Sequence, residues 1–449
     1  MEAIKVVKEP FATLFFSILN YKRGDQCLII YDETFNPYLN EMIGFFGKNK
    51  ILASLIFVPF RQQLLFIENN RLPLGIKAAL SEANIIVSVV SSADDTTIFR
   101  RLILKSRRNK DSRLGHITGI DDDLLEIIDT SNIHEIHRRS EIVAWILGQA
   151  SEINITSFDS VGNKYELLIK KRKWIDEPVM SPGIIYKNSW GNPIPGESFI
   201  CPDYKKINGQ ICINGSVPGY VIDKGDEIIL TFKDGEMINW TTKNKIMSHF
   251  LEITENESRY YGDQNWNKFA ELGIGLNESI YQLSGNMMID EKMLNTIHIA
   301  IGNNEVFGFR IRSRNHHDMV IVNALLKVDN VDIFENGKLN FDIIKKIRKN
   351  IAYEKINITN NSMIRIFKSK IFVSKNSGVY LKIDKAERTS LVKIADKTYN
   401  ELVEDFCRIK EGERQSYGSL IQKLSTKHDE KKIKKLIEIM MNYNIINCL

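Results

Sequence analysis

The first 150 residues alternate short apolar runs with segments of helical periodicity. The runs CLIIYD, LIFVPF and NIIVSVV predict buried strands, and helical stretches over residues 37–46 and 72–83 lie between them. Strands that alternate with helices of this length indicate a parallel sheet covered on both faces. With the helical run IHRRSEIVAWILG near its end, this region is predicted to form an N-terminal α/β domain over residues 1–150.

The pattern changes after residue 150 to short strands separated by Gly, Pro, Asn and Asp turns. The strands NITSF, YELLIK, GQICING and EIILTF come first, and strands at 296–301 and 319–322 and a hairpin in DNVDIFENGKLNF come later. A helix is predicted around residues 266–272. These elements predict an α+β catalytic domain over residues 151–342, in which loops on a rigid scaffold carry the chemistry.

The last hundred residues form a basic tail. A basic amphipathic helix from residue 341 is followed by the strands KIFVS and VYLKI, by helices predicted over 387–408, 417–424 and 429–442, and by NIINCL as a terminal strand or wing. From residue 343 onward there are 23 Lys and Arg against 12 Asp and Glu, while the rest of the chain has 38 against 44. The pattern predicts a winged-helix-like C-terminal module over residues 343–449.

The composition excludes several classes of protein. The longest apolar runs reach about ten residues, half of the roughly 20 that a membrane helix requires. The opening MEAIKVVKEP lacks the pattern of a secretory signal, so we expect a cytoplasmic protein with no membrane partner. The five cysteines are scattered and never in a CxxC pair, which argues against disulfides or a cysteine zinc site.

Two glutamates lie in settings that suit a buried ligand. Glu197 follows a Pro-Gly turn in GNPIPGESFICP, just before an apolar strand. Glu271, in KFAELGIGLN, is placed between the predicted helix and two glycines, with apolar neighbours and no Lys or Arg within two residues. A buried carboxylate without a cation is costly, so a metal or a distant basic group is expected. A solvated turn glutamate and a helix-cap acid are the alternatives.

The most specific cluster is TIHIAIG followed by NHHDMVIV. Alternation in the first strand places His298 on a face shared with Ala300 and Gly302, which leaves room for a metal and a substrate. His316 and Asp318 are two residues apart, so both side chains project to the same side of an extended segment. Imidazole and carboxylate ligands together suit Zn²⁺, Co²⁺, Mn²⁺ or Fe²⁺.

These motifs resemble the aminopeptidase T/aminopeptidase S type of leucyl aminopeptidase. AELGIGLN, DEK, TIHIAIGNN, FG and SxxHxDMV follow in the order and spacing of that family's catalytic half. PGESFICP looks like the family's upstream Glu motif, and NYKRGDQCLIIYDE like the opening of its N-terminal domain. The resemblance spans residues 11–341.

That resemblance implies a two-metal exopeptidase that releases the N-terminal amino acid of a peptide. Its cofactors would be two divalent ions (Zn, Co or Mn) about 3.5–4 Å apart, sharing a carboxylate and an activated water. The family also implies a homodimer. Its metal ligands map onto Glu197, Glu271, His298, His316 and Asp318, with Glu197 and Glu271 as the catalytic carboxylates. Which carboxylate bridges the metals stays open.

The sequence departs from the family at three positions. Glu305 stands where many members have a Tyr seven residues after the first His, Phe309 stands where a Gly is common after Phe-Gly, and Asn295 replaces a Gly before TIH. Lys292 and Arg312 could anchor a substrate carboxylate or balance the charge of the ligands, or be an ordinary surface lysine and strand-edge arginine. These changes bear on the choice of substrate.

Two other functions fit the same residues. The scaffold also resembles ring-opening dihydroxypyridine dioxygenases, which have one iron held by two His and one Asp; the two retained glutamates favour the hydrolase. A third reading is a non-catalytic peptide-binding protein of natural-product biosynthesis, because the tail is similar to small winged-helix modules that capture peptides by strand addition. We hypothesise that the tail positions an acidic peptide substrate, with nucleic acid as the less favoured partner.

Overall fold

The computed structural model describes residues 9–91, 96–109, 111–335, 337–350, 363–366, 371–374, 378–385, 388–408, 415–443 and 446–448. Within them, the chain forms five β-sheets with helices packed on their faces, a mixed α/β fold with a parallel sheet first and antiparallel sheets after it, as predicted. None of the described helices is long and apolar enough to cross a membrane.

The elements have the following bounds. The α-helices are α1 Pro10–Ala12, α2 Leu39–Asn49, α3 Phe60–Glu68, α4 Leu74–Glu82, α5 Thr96–Ser106, α6 Asp122–Thr130, α7 Ile133–Gln149, α8 Lys245–Tyr260, α9 Met287–Asp290, α10 Phe341–Asn350, α11 Asn400–Cys407, α12 Tyr417–Leu424 and α13 Glu430–Asn442. The first strands are β1 Cys27–Tyr31, β2 Ala53–Phe57, β3 Ile85–Val90, β4 Arg113–Thr118, β5 Glu152–Phe158, β6 Lys164–Lys170, β7 Val179–Ser181, β8 Ser189–Gly191, β9 Glu197–Ile200, β10 Ile207–Ile213, β11 Ser216–Val217, β12 Tyr220–Val221, β13 Ile228–Lys233 and β14 Glu236–Thr241. The later strands are β15 Phe269–Gly275, β16 Ile297–Gly302, β17 His316–Ile321, β18 Leu325–Val328, β19 Val331–Glu335, β20 Lys338–Leu339, β21 Met363–Ile366, β22 Ile371–Ser374, β23 Gly378–Lys385, β24 Arg388–Ala395, β25 Gln415–Ser416 and β26 Ile446–Cys448.

The first sheet is parallel, with strand order β2-β1-β3-β4-β8. Every residue of β3 is buried, as expected for a central strand covered on both faces. One apolar cluster joins the sheet to α1, α2 and α6, and another joins its opposite face to α4 and α5. Its edge strand β8 comes from beyond residue 150, so a later segment of the chain completes this sheet.

Two antiparallel sheets enclose the largest core. An eight-stranded sheet has the order β14-β13-β10-β6-β5-β18-β19-β20, and a seven-stranded sheet has the order β12-β11-β17-β16-β15-β9-β7. Ile, Leu, Val and Phe side chains of both sheets meet in one cluster that also takes in α7. The inward side of each strand supplies the apolar residues, which leaves the other side of the seven-stranded sheet free for polar groups.

The helix predicted around residues 266–272 is wrong, because this segment forms β15. All seven residues of β15 are buried between β9 and β16. Leu272 and Ile274 alternate with Gly273 and Gly275 as in a strand, but the adjacent apolar residues Phe269 and Ala270 interrupt the pattern, so periodicity over so short a run does not separate it from a buried helix. The helix of this region is instead α8, which begins after Asn244, whose side chain accepts from the backbone N–H groups of Ile246 and Met247.

In the tail, the helices predicted over 417–424 and 429–442 are confirmed by α12 and α13, and the two strands by β22 and β23. The helix predicted over 387–408 is wrong in its first half. Residues of β24 pair with β23 in a three-stranded sheet, and only α11 is helical. Thr389, Val392 and Ile394 in this strand are β-branched residues, which favour strands.

The tail shares the core of the antiparallel sheets. Trp145 in α7 donates its indole N–H to the Tyr443 hydroxyl over 2.7 Å, and the Trp174 ring lies 4.6 Å from the Tyr443 ring. Leu436 and Met440 of α13 belong to the same apolar cluster as the sheets. Tyr443, directly after α13, therefore packs onto α7, which lies beneath the seven-stranded sheet.

We expect Tyr443→Phe to lower the free energy of unfolding by about 1–2 kcal/mol, because it removes the acceptor of the Trp145 N–H inside the core. Urea unfolding followed by tryptophan fluorescence measures this. Tyr281→Phe is the control, because Tyr281 is 81% exposed, and its effect should stay within about 0.5 kcal/mol. Equal effects of the two variants would contradict the packing described for the tail.

Candidate metal centre

The five sequence-predicted ligands lie on four neighbouring strands of the seven-stranded sheet. Glu197 is in β9, Glu271 in β15, His298 in β16, and His316 and Asp318 in β17. The strand register places Gly273 beside His298 and Ala300 beside Asp318. The structure thus brings together side chains that are up to 121 residues apart in the sequence.

Alternation along these strands separates the polar face from the core, as the sequence predicted for TIHIAIG. Ile297, Ile299 and Ile301 point into the large apolar cluster, whereas His298 lies on the opposite face with Ala300. In β17, Met319 and Ile321 also point into the apolar cluster, so His316 and Asp318 lie on the polar face. The sheet therefore has one apolar face and one face of ligand residues.

Glycines make room for the ligands. A Cβ atom on Gly273 would overlap the ring of His298, which lies across the neighbouring strand. Gly196 has φ +134°, and a Cβ there would come within 2.5 Å of the Cβ of Asn277. Asn277 also donates to the Pro195 carbonyl, so the turn before Glu197 is fixed against the end of β15. The restricted backbone expected at Glu197 is present.

The ligand atoms are within a few ångströms of one another. His298 Nε2 lies 3.4 Å from Glu271 Oε1 and 3.6 Å from Glu197 Oε2. His316 Nε2 lies 3.3 Å from Asp318 Oδ2 and 3.8 Å from Glu271 Oε2. Glu271 therefore presents one carboxylate oxygen to each histidine.

Two further groups, Glu291 and Lys292, join this face from the turn after α9. Lys292 is fully buried and its ammonium donates to Glu197 Oε1 over 3.1 Å and to Glu291. Sequence reasoning did not name Glu291 as a site residue and left Lys292 undecided. The available signal in the sequence was the adjacent acid and base, Glu291 and Lys292, which lie seven and six residues before His298 in a mostly apolar segment.

Each histidine has a defined environment. His316 Nδ1 is 2.6 Å from the Asn303 carbonyl oxygen, so this nitrogen carries the proton and Nε2 faces the carboxylates. His317 points away from the ligand face, where its ring packs against Phe250 and its Nε2 lies 3.4 Å from the Thr254 hydroxyl. Only the first of the two adjacent histidines is therefore on the ligand face.

The carboxylates and histidines shift one another's pKa values. Burial lowers the pKa of His298, but the hydrogen bond with Glu271 and the nearby carboxylates outweigh it and raise the pKa to about 9. For His316, burial is likewise outweighed by Asp318, and the pKa rises to about 10. Burial raises the pKa of Glu291 to about 8 against the opposing charge of Lys292. In the metal-free protein, protons on these groups therefore balance negative charge that bound metal ions would otherwise balance.

The donor set fits metal ions. Ligand atoms of Glu197, Glu291 and His298 lie within 4.8 Å of one another, and so do those of Glu271, His298 and Asp318. Glu271 Oε2, His298 Nδ1 and Asp318 Oδ1 are buried without a hydrogen-bond partner in the described part of the chain. Buried polar atoms are normally paired, and carboxylate oxygens that lack donors fit a bound cation.

The residues that depart from the family motif lie beside this face. Glu305 is on the 3₁₀ turn after β16, and its side chain is 47% exposed and 4.0 Å from Arg312. Phe307, on the same turn, packs its ring edge-to-face on His316 with 5.4 Å between centroids. Phe309 joins Phe199 and Phe307 in a small apolar cluster. An apolar wall therefore adjoins the histidine.

Comparisons with known proteins show the fold. No model of a protein family matches the chain, and no curated protein matches its sequence. The structure is similar to that of 2,5-dihydroxypyridine dioxygenase from Pseudomonas putida KT2440, with a TM-score of 0.59 and 14% identity over 74% of this chain and 96% of that one. It is also similar to wild-type AmpT from Thermus thermophilus, with a TM-score of 0.49 and 11% identity over 74% of this chain and 98% of that one. At this identity the first likeness shows a shared fold.

We expect Gly273→Ala to weaken binding of Zn²⁺ or Co²⁺ roughly 10–100-fold, because the new methyl group must displace the His298 ring. Competition with a chromophoric chelator measures the affinity, and circular dichroism verifies the fold. Gly75→Ala in α4 is the matched control, since a Cβ there meets nothing within 4 Å. If the folded Gly273→Ala protein bound metal with wild-type affinity, His298 would not be a metal ligand.

Proposed function

We propose that the protein is a two-metal aminopeptidase, which releases the N-terminal amino acid from peptides. The observation that carries the proposal is the number of charges on the ligand face. Glu197, Glu271, Glu291 and Asp318 supply four carboxylates, while Lys292 supplies one positive charge. With neutral histidines and all four carboxylates ionised, as metal ligands must be, this face bears three negative charges.

That charge favours two metals over one. Two divalent ions and one hydroxide carry a net charge of plus three, which balances the face. One divalent ion would leave a negative charge buried among apolar residues, at a cost of several kcal/mol. The division of the donors supports the same conclusion, because two partly separate groups share only His298.

The metals would be held by the residues of those two groups together with His316. When bound, such a pair acidifies a water and polarises the scissile carbonyl. Glu271 would help to hold both metals, because its Oε1 faces His298 and its Oε2 faces His316. Lys292 fixes one oxygen of Glu197 and leaves the other, Oε2, directed toward His298. Of the two catalytic carboxylates, Glu271 would then serve as a ligand and Glu197 would accept the proton of the attacking water.

The surroundings support a peptide substrate. The apolar cluster of Phe199 and Phe307, with 5.0 Å between ring centroids, lies beside His316 and suits an uncharged side chain. A free α-amine would complete the coordination of one metal. We carry over a homodimer as the working assembly from the resemblance, and we propose the cytoplasm as the compartment.

A ring-cleaving iron dioxygenase is the second candidate. His298, His316 and Asp318 form the two-His, one-carboxylate set of non-haem iron oxygenases. The similar Pseudomonas structure is that of a 2,5-dihydroxypyridine dioxygenase. In this role one Fe²⁺ and Lys292 would leave one negative charge of the four carboxylates uncompensated. We therefore place it after the hydrolase.

We expect metal-stripped protein to regain cleavage of amino-acyl p-nitroanilides only after about two equivalents of Zn²⁺, Co²⁺ or Mn²⁺ per chain. Removing a ligand carboxylate in Glu271→Gln should lower kcat by a factor on the order of 10² or more. Asp203→Asn, at the start of a surface turn, is the control. Full activity with one Fe²⁺, together with consumption of oxygen and a dihydroxypyridine, would establish the dioxygenase instead.

Metal binding should release protons and strengthen as the pH rises. With pKa values of about 9 and 10, His298 and His316 are protonated at pH 7 in the metal-free protein, and metals bind only their neutral forms. Calorimetry at pH 7 in buffers of different ionisation enthalpy should show at least two protons released per chain, one from each histidine, with Glu291 and the metal-bound water as further sources. His317→Gln should release the same number, because burial lowers the pKa of His317 to about 4. Binding that is independent of pH between 6 and 9 would contradict the assignment of these ligands.

A further inference from the structure

Three arginines lie on the segment that leads into His316. Arg310, Arg312 and Arg314 are exposed, and Ile311 between them is only 5% exposed. This alternation sends the arginine side chains outward while the apolar residue faces the protein. We call these three residues the arginine rim.

The backbone of the rim is fixed at its first half by Asn304. Ile311 donates its N–H to Asn304 Oδ1 over 2.8 Å, and its carbonyl accepts from the backbone N–H of Asn304 over 2.9 Å. Asn304 is itself buried and donates to the carbonyl of Ala270, next to Glu271. The rim is thereby tied to the strand that carries a ligand carboxylate.

The second half of the rim is fixed by the turn after α8. Asp263 accepts from the Ser313 hydroxyl over 2.7 Å and from the Arg314 backbone N–H over 2.8 Å. The Arg314 guanidinium lies 3.8 Å over the ring of Tyr261. A segment that is ordered before binding loses little conformational entropy when a ligand arrives.

The rim has an excess of positive charge. Two acids lie near its three arginines. Asp263 accepts from Ser313 and Arg314, and Glu305 lies 4.0 Å from the Arg312 Nε, with the Arg312 side chain still 83% exposed. No ion pair to Arg310 is found among the residues that the structure describes. Residues 1–342 carry more acidic than basic groups, so the rim stands out against its surroundings. Guanidinium groups bind carboxylates with two parallel hydrogen bonds.

We propose that the arginine rim binds carboxylate side chains of the substrate, so that the protein acts on acidic peptides. The assignment of a peptide rests on the proposed function. A peptide whose first residue lies beside His316 and Phe307 would extend over the turn of residues 305–314, which begins and ends next to that histidine. Aspartate or glutamate in the following positions would meet Arg310 and Arg312.

Fluorescence anisotropy on the metal-loaded protein tests the proposal without catalysis. The probe is a labelled hexapeptide of Leu followed by Asp and Glu residues, with its α-amine acetylated, and the comparison peptide has Asn and Gln instead. We expect the acidic peptide to bind roughly fivefold more tightly than the neutral one at low salt, and Arg310→Gln/Arg312→Gln to abolish that difference. Arg23→Gln, an exposed arginine at the first turn, should preserve it.

The outcomes separate the rim from the proposed reaction. Equal affinity of the wild-type protein for the two peptides would contradict carboxylate binding by the rim. So would loss of the difference in affinity in Arg23→Gln. A single-stranded RNA hexamer that binds the rim more tightly than the acidic peptide would overturn the choice of a peptide. Charge-selective binding that depends on Arg310 and Arg312, in a protein that cleaves no amino-acyl substrate with any metal, would support the rim and refute the aminopeptidase.

Discussion

Mutual repulsion among buried carboxylates is the constraint on which this protein depends. Glu197, Glu271, Glu291 and Asp318 approach one another on one face of an antiparallel sheet, away from bulk water. Such a group is stable only if cations or protons accompany it. Lys292 supplies one charge permanently, and protons on the two histidines and on Glu291 offset the rest when metal is absent. The same arrangement is suited to binding dications.

Small residues beside the ligands and a large apolar core beneath them fix the position of the ligand face. Gly273 and Ala300 leave space directly beside His298 and Asp318, so the rings and carboxylates lie flat across neighbouring strands. Beneath them, the isoleucines of β16 and the methionine of β17 pack against α7 and the second sheet. Because packing on the apolar side makes the backbone rigid, the ligand atoms on the polar side keep a fixed spacing, which catalytic metal sites require.

The surroundings of the ligand face distinguish this protein from the family motif that its sequence resembles. A short turn brings Phe307 onto His316, carries three arginines outward, and has Glu305 and Phe309 where the motif often has Tyr and Gly. At the other side of the sheet, Tyr443, which follows α13, packs onto α7. The proposed chemistry thus rests on the ligand face, while the rim and the tail are the features that would select a substrate.

The sequence alone determined the parts whose physics is local. Alternation in TIHIAIG and the two-residue spacing of His316 and Asp318 predicted which side chains share a face, and apolar runs predicted the parallel sheet. Tertiary structure decided the rest, because it depends on neighbours distant in the chain. The segment of β15 looked helical because Phe269 and Ala270 interrupt its alternation, and β24 became a strand because β23 lies beside it. Glu291 and Lys292 joined the site only because the turn after α9 folds back over β9. A sequence shows the period of an element, but contacts between elements decide what each one buries.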